Sequence, residues 1–191
     1  MTEHDDLPAA ARTRRLEERL IAAGLTSDEE IDEFLTRLYS SASPGNGARM
    51  VARAWTDPQY RDLLLSDGNA AAAQAGFDGL SYQLRVVANT GQTHNVIVCT
   101  LCSCYPVSLL GPSPGWYKSF PYRSRTVREP RAVLAEFGVT LPGSVQISVW
   151  DSTSEARYMV LPVRPAGTDA LNAGQLAALV TRNGLIGTAL V

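Results

Sequence analysis

Sulfur is scarce in this chain and confined to one place: its three cysteines, Cys99, Cys102 and Cys104, lie within six consecutive positions of a 191-residue sequence. An odd number of thiols so close together excludes a disulfide framework, because one would be left over and the loops would be strained. A basic excess is absent too. Seventeen Lys and Arg against nineteen Asp and Glu give a formal charge of −2, with the cations scattered along the chain, which argues against a nucleic-acid partner. No apolar run approaches the length of a transmembrane helix, so no membrane partner is expected. The first six residues, Met1 to Asp6, are acidic where a secretory signal would be basic and then apolar. These absences leave a cytoplasmic protein as the expectation, and crowded thiols suit such a reducing compartment. What is present, 45% apolar residues, suffices for the core of one soluble protein of ordinary size.

Metal binding is the reading that three clustered thiols support. Cys99 and Cys102 stand in the Cys-x-x-Cys relation, in which one tight turn aims two thiolates at a single ion. Cys104 follows after one residue. When Cys102 and Cys104 both hold an ion, the peptide nitrogens of Ser103 and Cys104 are carried within bonding distance of it. Deprotonated, those amides close small chelate rings and complete a square plane, with Cys99 on its axis. Such a plane suits a metal that prefers tetragonal or octahedral geometry, whereas zinc prefers a tetrahedron. Opposite Cys99 an octahedral ion keeps one open position, as a catalytic site requires.

The run Cys99-Thr100-Leu101-Cys102-Ser103-Cys104 resembles the signature of nitrile hydratase α subunits, in the form with Thr at the second position that accompanies non-corrin cobalt. Downstream blocks resemble the family as well: Trp116 to Phe120, Arg128 to Arg131, Arg157 to Pro162 and Arg164 to Thr168. The resemblance implies one Co3+ per chain, in preference to iron, with Cys99, Cys102, Ser103 and Cys104 as its ligands. It implies that Cys102 is oxidised to a sulfinate and Cys104 to a sulfenate while Cys99 stays a thiolate. The reaction implied is hydration of a nitrile to its amide, with Cys104 in the catalytic role. A β-type subunit, as one chain or split into two, is the implied partner and supplies two arginines to the oxidised sulfurs, so the isolated chain is expected to be a poor catalyst. Arg123, Arg125, Arg128 and Arg131 of this chain are read instead as salt-bridge and interface residues. Two departures bear on substrate. Tyr105-Pro106-Val107-Ser108 stands where the family commonly has Tyr-Pro-Trp-Pro, and Leu80 falls where a glutamine is usual, with Gln83 as a substitute. The missing ring implies a bulky nitrile, such as the cyano-nucleoside toyocamycin.

Two rivals stand beside this reading. The γ subunit of thiocyanate hydrolase shares the motif, and a non-catalytic zinc-binding interaction module would need only His94 as a fourth ligand. His94 sits in a strand-like stretch that should turn its ring away from the loop, and His4 reads as part of a loose terminus. Trp55, Trp116 and Trp150 read as core or interface anchors. Asp151 and Glu155 flank a turn and read as a solvated loop rather than as supports of the metal ligands.

Apolar spacing predicts helices over 9–23 and from Ser27, with Ile31, Phe34, Leu35 and Leu38 as one stripe, then over 48–55, 60–65, 69–75, 131–136 and 171–181. Ser40 to Gly47 reads as a hinge, and Asn183-Gly184 as the last helix's stop. β-Branched runs at 84–88 and 95–98 flank the turn at Asn89-Thr90-Gly91, and runs at 145–150 and 158–163 read as neighbours. Helices first and strands later predict an α+β fold: a subunit-embracing helical arm over 1–45, then a layered α-β-β-α metal-binding catalytic domain over 46–191.

Overall fold

The computed structural model describes residues 9–191; Met1 to Asp6, His4 among them, and the side chain of Leu38 lie outside the described set. The chain divides into two compact units, one ending at Ser41 and one comprising Ala42–Val191. In the first, α1 (Ala9–Ala22) is followed by Gly24 at φ 66°, and α2 (Asp28–Ser41) starts on a capping box at Ser27, where the sequence places the helix start. The Ser27 hydroxyl accepts from the amide of Glu30, whose carboxylate accepts from the amide of Ser27. Ile31 is half-buried, whereas Leu16, Phe34 and Leu35 are exposed.

The second unit opens with α3 (Pro44–Thr56), α4 (Pro58–Ser66) and α5 (Gly68–Gln74). Between the helices predicted over 48–55 and 60–65, Asp57 is a shared joint: its amide closes α3 on Arg53, while its carboxylate accepts from Tyr60 to start α4. The stretch read as a hinge is mostly helix, because Ser43 caps α3 and Pro44 occupies its first turn. Gly47 is buried there, where a Cβ would press on Leu185, Met159 and the carbonyl of Leu109. After β1 (Gln83–Ala88) and β2 (Thr93–Val98) come the short α6 (Val107–Leu110), a 3-10 turn over Gly115–Lys118, α7 (Phe120–Arg128), α8 (Pro130–Glu136), β3 (Gln146–Asp151), β4 (Ala156–Leu161), α9 (Ala173–Leu179) and α10 (Arg182–Ile186).

All four strands stand where the sequence places them, but their partners differ from the expectation. β1 pairs in parallel with β4, and β2 in parallel with β3, giving two two-stranded sheets. No hairpin forms at residues 89–91, because side chains take the groups that a hairpin ladder would use. Asn89 Oδ1 accepts from the amide of Asn95, and Asn95 Nδ2 donates to the carbonyl of Ala88. On one side α4 and α5 lie against β1, and α10 against β4; on the other, α7 lies against β2 and α8 against β3. With β2 touching β4, the layers run helix, sheet, sheet, helix, an α+β fold as predicted.

Strand β2 is buried from His94 to Val98, as a parallel strand covered on both faces must be. Val96 and Val98 are fully buried and Ile97 almost so, each contributing roughly 1.5–3 kcal/mol through removal from water. The last helix also departs from the reading. Asn183-Gly184 lies inside α10, whose true stop is Gly187 at φ 91°. A Cβ at Gly187 would collide with the carbonyl of Asn95, and the Gly187 carbonyl sits 2.7 Å from His94 Nε2. The C-terminal segment is thereby tied to β2. Among the described residues no helix is long and apolar enough to cross a membrane.

Candidate metal centre

Cys99 follows the last residue of β2 directly and is fully buried, so the strand's packing fixes the point at which the cysteine loop begins. The chain bends at Thr100 to Cys102 and reaches the surface. Cys102 and Ser103 are exposed, and Cys104 is half-buried. The three sulfurs converge: Cys99 Sγ lies 3.5 Å from Cys102 Sγ, which lies 3.2 Å from Cys104 Sγ, and all three fall within 4.8 Å of one another. None is in a disulfide. The amide of Cys102 donates to Cys99 Sγ at 3.3 Å.

Side chains from four different elements hold the backbone of this loop. Asp151, the last residue of β3, accepts from the amide of Thr100 at 2.9 Å and from its hydroxyl. From α7, Arg123 donates Nε to the carbonyl of Cys99 at 3.1 Å and Nη2 to that of Thr100 at 2.7 Å. Tyr117 of the 3-10 turn donates to the carbonyl of Cys104 at 2.9 Å, and Arg157 of β4 donates to that of Tyr105 at 2.7 Å. Two residues before the loop, Tyr122 donates to the carbonyl of Ile97 at 2.6 Å. Burial raises the phenol pKa of both Tyr117 and Tyr122 far above the ordinary value, so both remain neutral donors.

The thiols perturb one another. Hydrogen bonds with Cys104, then with Cys99, then from the backbone at Ser103 pull the Cys102 thiol down to about 7. Burial first, then the hydrogen bond with Cys102, pushes Cys104 up to about 12. Three sulfurs are thus sharing protons in a space that one cation would fill, and a bound ion takes the place of those protons. The donor set fits a thiophilic metal with Cys99, Cys102 and Cys104 as sulfur ligands.

Most other candidates lie elsewhere. His94 is buried in β2, with Nδ1 3.3 Å from Asn89 Nδ2 and Nε2 on Gly187, so it is no fourth ligand. Arg125 pairs with Glu129 and Glu136, Arg128 caps a carbonyl within its own helix, and Arg131 donates to the carbonyls of Leu141, Pro142 and Val145. Of the four arginines read as salt-bridge residues, only Arg125 makes an ion pair among the described residues; Arg123, Arg128 and Arg131 donate to carbonyls, and those of Arg123 belong to the cysteine loop. The reading of Asp151 as a solvated loop residue is overturned, while Glu155 is exposed as expected. The tryptophans are anchors: Trp55 donates to Pro162, Trp150 to Asn95, and Trp116 packs edge-on against Tyr122 and Phe137. An open cleft of about 1000 Å³ lies over Leu80, Tyr82, Gln83, Trp150, Glu155 and Tyr158, but no cysteine lines it, so the chemistry is placed at the loop rather than in that cleft.

The comparisons agree with this geometry. The sequence matches the family model described as "Nitrile hydratase, alpha chain" over residues 8–189. It is 49% identical over 179 residues to the low-molecular weight cobalt-containing nitrile hydratase subunit alpha of Rhodococcus rhodochrous, covering 93% of this chain and 86% of that one. It is 45% identical over 184 residues to thiocyanate hydrolase subunit gamma of Thiobacillus thioparus, covering 90% of this chain and 75% of that one. Among solved structures, a double mutant of the Fe-type nitrile hydratase from Comamonas testosteroni Ni1 superposes with a TM-score of 0.88 at 41% identity, covering 96% of this chain and 92% of that one. The matched span takes in the three-thiol loop and every element that anchors it, and on that ground the chain belongs to the nitrile hydratase alpha-chain family.

Proposed function

We propose that this chain is the metal-bearing subunit of a cobalt-type nitrile hydratase, converting R–C≡N and one water into R–C(=O)NH2. The observation that carries the reading is the convergence of three sulfurs free of disulfides, running from buried Cys99 to exposed Cys102, with the surrounding donors turned to the loop's backbone. Cys99, Cys102 and Cys104, with the amides of Ser103 and Cys104, are the proposed ligands of one Co3+. Cobalt is favoured over iron by the names of the relatives and by Thr100, while the Fe-type neighbour keeps iron as the second choice. Bound there, a trivalent ion supplies Lewis acidity that polarises the nitrile nitrogen.

The chain's own residues do the rest. Cys102 is the proposed sulfinate and Cys104 the sulfenate, whose oxygen is the nucleophile toward the nitrile carbon. The sulfenate oxygen passes to carbon as its bond to sulfur breaks, and one water restores it: the water's oxygen renews the Cys104 sulfenate and its two hydrogens end on nitrogen. Among the described residues no arginine hydrogen-bonds a cysteine sulfur, and Arg123 and Arg125 are already engaged. The charge of oxidised sulfurs therefore calls for a partner, a β-type subunit in one or two chains, which residues 1–45 embrace while residues 46–191 form the catalytic domain. Val107 follows the loop without a large ring and Leu80 replaces an amide, so the substrate proposed is a bulky nitrile of the cyano-nucleoside kind, handled in the cytoplasm.

Metal content and the mass of the tryptic peptide from Val86 to Lys118 test the reading, on protein made with cobalt supplied. About one cobalt per chain and a peptide heavier by two or three oxygens is the expected result. Zinc with an unmodified peptide, even with cobalt and a partner subunit supplied, overturns it in favour of a structural site. The similarity to a thiocyanate hydrolase subunit sustains a second reading, and comparing nitrile with thiocyanate turnover by the assembled complex separates the two.

A further inference from the structure

We propose that Arg123 is a positioning residue of the three-thiol loop: by holding the carbonyls of Cys99 and Thr100 together, it fixes the aim of the Cys99 sulfur and sets how tightly the three sulfurs take a thiophilic ion. The inference rests on the metal-binding reading above. Arg123 stands on α7, a helix started by the Ser119 hydroxyl and pinned to β2 by the bond from Tyr122 to the Ile97 carbonyl. Its guanidinium is therefore delivered from a rigid base.

Two consecutive carbonyls turned to one side repel each other, and the fork of Nε and Nη2 offsets that repulsion at 3.1 and 2.7 Å. Arg123 is half-buried and makes no salt bridge among the described residues; the acid nearest in sequence, Glu129, is taken by Arg125. On the other side of the same bend, the Asp151 carboxylate holds the amide and hydroxyl of Thr100. The Thr100 peptide is thus clamped between a cation on its carbonyl and an anion on its amide. With the Cys99 carbonyl fixed and its amide end set by β2, the direction of its side chain follows. Its sulfur is held 3.5 Å from that of Cys102 before any ion arrives. Partners that orient ligands in this way commonly account for ten- to hundred-fold in metal affinity.

The test is a cadmium titration of the reduced full-length chain, read by the ultraviolet thiolate-to-cadmium charge-transfer band, for the parent and for Arg123→Gln, Arg123→Lys and Arg128→Gln. Melting of each metal-free variant reports separately on folding. The proposal expects Arg123→Gln to bind cadmium about 10–100-fold more weakly and Arg128→Gln to match the parent. It expects Arg123→Lys to resemble Arg123→Gln, because a single ammonium cannot bridge both carbonyls. Lysine restoring parental affinity would mean that charge alone is at work, and would overturn the proposal. So would an Arg123→Gln variant that melts lower yet binds within about twofold of the parent, since the role would then be structural only. A parent that takes up no cadmium would remove the metal-binding reading itself, an outcome distinct from either of these.

Discussion

Asp151 and Thr100 lie 51 residues apart in sequence, and their side chains meet at the head of the cysteine loop. A double-mutant cycle measures what that meeting is worth. Thr100→Val removes the hydroxyl and keeps the branched shape; Asp151→Ala removes both acceptors, the one facing the hydroxyl and the one facing the Thr100 amide. A hydrogen bond to a charged group contributes about 1.5–3 kcal/mol where water is excluded. Both residues here are exposed, so solvent competes and a coupling of about 1 kcal/mol is expected between hydroxyl and carboxylate. Asp151→Ala alone should cost roughly 1–2 kcal/mol, because the Thr100 amide also loses its acceptor. Urea unfolding of the metal-free chain, fitted for parent, both single variants and the double variant, gives the four free energies. If the two single losses add to within about 0.3 kcal/mol of the double loss, the hydroxyl and the carboxylate are not coupled in solution, and Asp151 holds Thr100 through its amide alone.

Three further outcomes follow from buried groups. Tyr122→Phe keeps the ring against Trp116 and Phe137 but orphans the buried carbonyl of Ile97, a loss of roughly 2 kcal/mol and about 4–8 °C in melting temperature; an unchanged melt would refute it. Burial depresses the pKa of His94 below 6.5, so the unfolded chain binds a proton that the folded chain refuses. Its contribution to stability is complete above pH 6.5, declines by up to about 1.4 kcal/mol per unit as the pH falls below that, and levels off beneath the folded-state value. Urea midpoints at several pH values for parent and His94→Gln should show that slope in the parent only. Gly187→Ala forces a Cβ against the Asn95 carbonyl at φ 91° and should cost more than about 2 kcal/mol by the same measurement.

The ligating sulfurs were legible in the sequence because each donor is carried by its own side chain within one turn of chain. The residues that hold the loop were less so, because each is recognised only by where it ends up. Asp151 belongs to a strand whose sequence alternates normally, and nothing local marks its carboxylate as the acceptor for an amide so distant. The strand partners were hidden for a related reason. Nearness in sequence favours β1 with β2 and β3 with β4, whereas parallel pairing takes each strand past its neighbour, and the deciding feature is two asparagine side chains at Asn89 and Asn95. Helix α7 escaped notice because its buried face is only Tyr122 and Thr126, one turn apart, behind a proline in the first turn.

That α7, β3, the 3-10 turn and β4 each contribute one anchor has a consequence for how the family can diversify. Each anchor reaches a backbone atom: Arg123 two carbonyls, Asp151 an amide, Tyr117 and Arg157 one carbonyl each. Backbone atoms are the same whatever side chain they carry, so the loop's course is over-determined without constraining the side chains beside it. Leu101 is 88% exposed and takes no part in the anchoring. Val107 lies after the last anchored carbonyl, that of Tyr105, and Leu80 lies outside the loop altogether. A change at Val107 therefore alters what can approach the sulfurs while leaving the sulfurs where they are, whereas Leu80 lines the separate cleft that no cysteine borders. Introducing the ring, Val107→Trp, should therefore leave cadmium affinity within about twofold of the parent, because none of the anchors that set ligand geometry is touched. The same substitution should alter which nitriles the assembled enzyme accepts, with bulky substrates losing turnover before small ones. A large fall in cadmium affinity for that variant would show that loop geometry and pocket shape are not separable here.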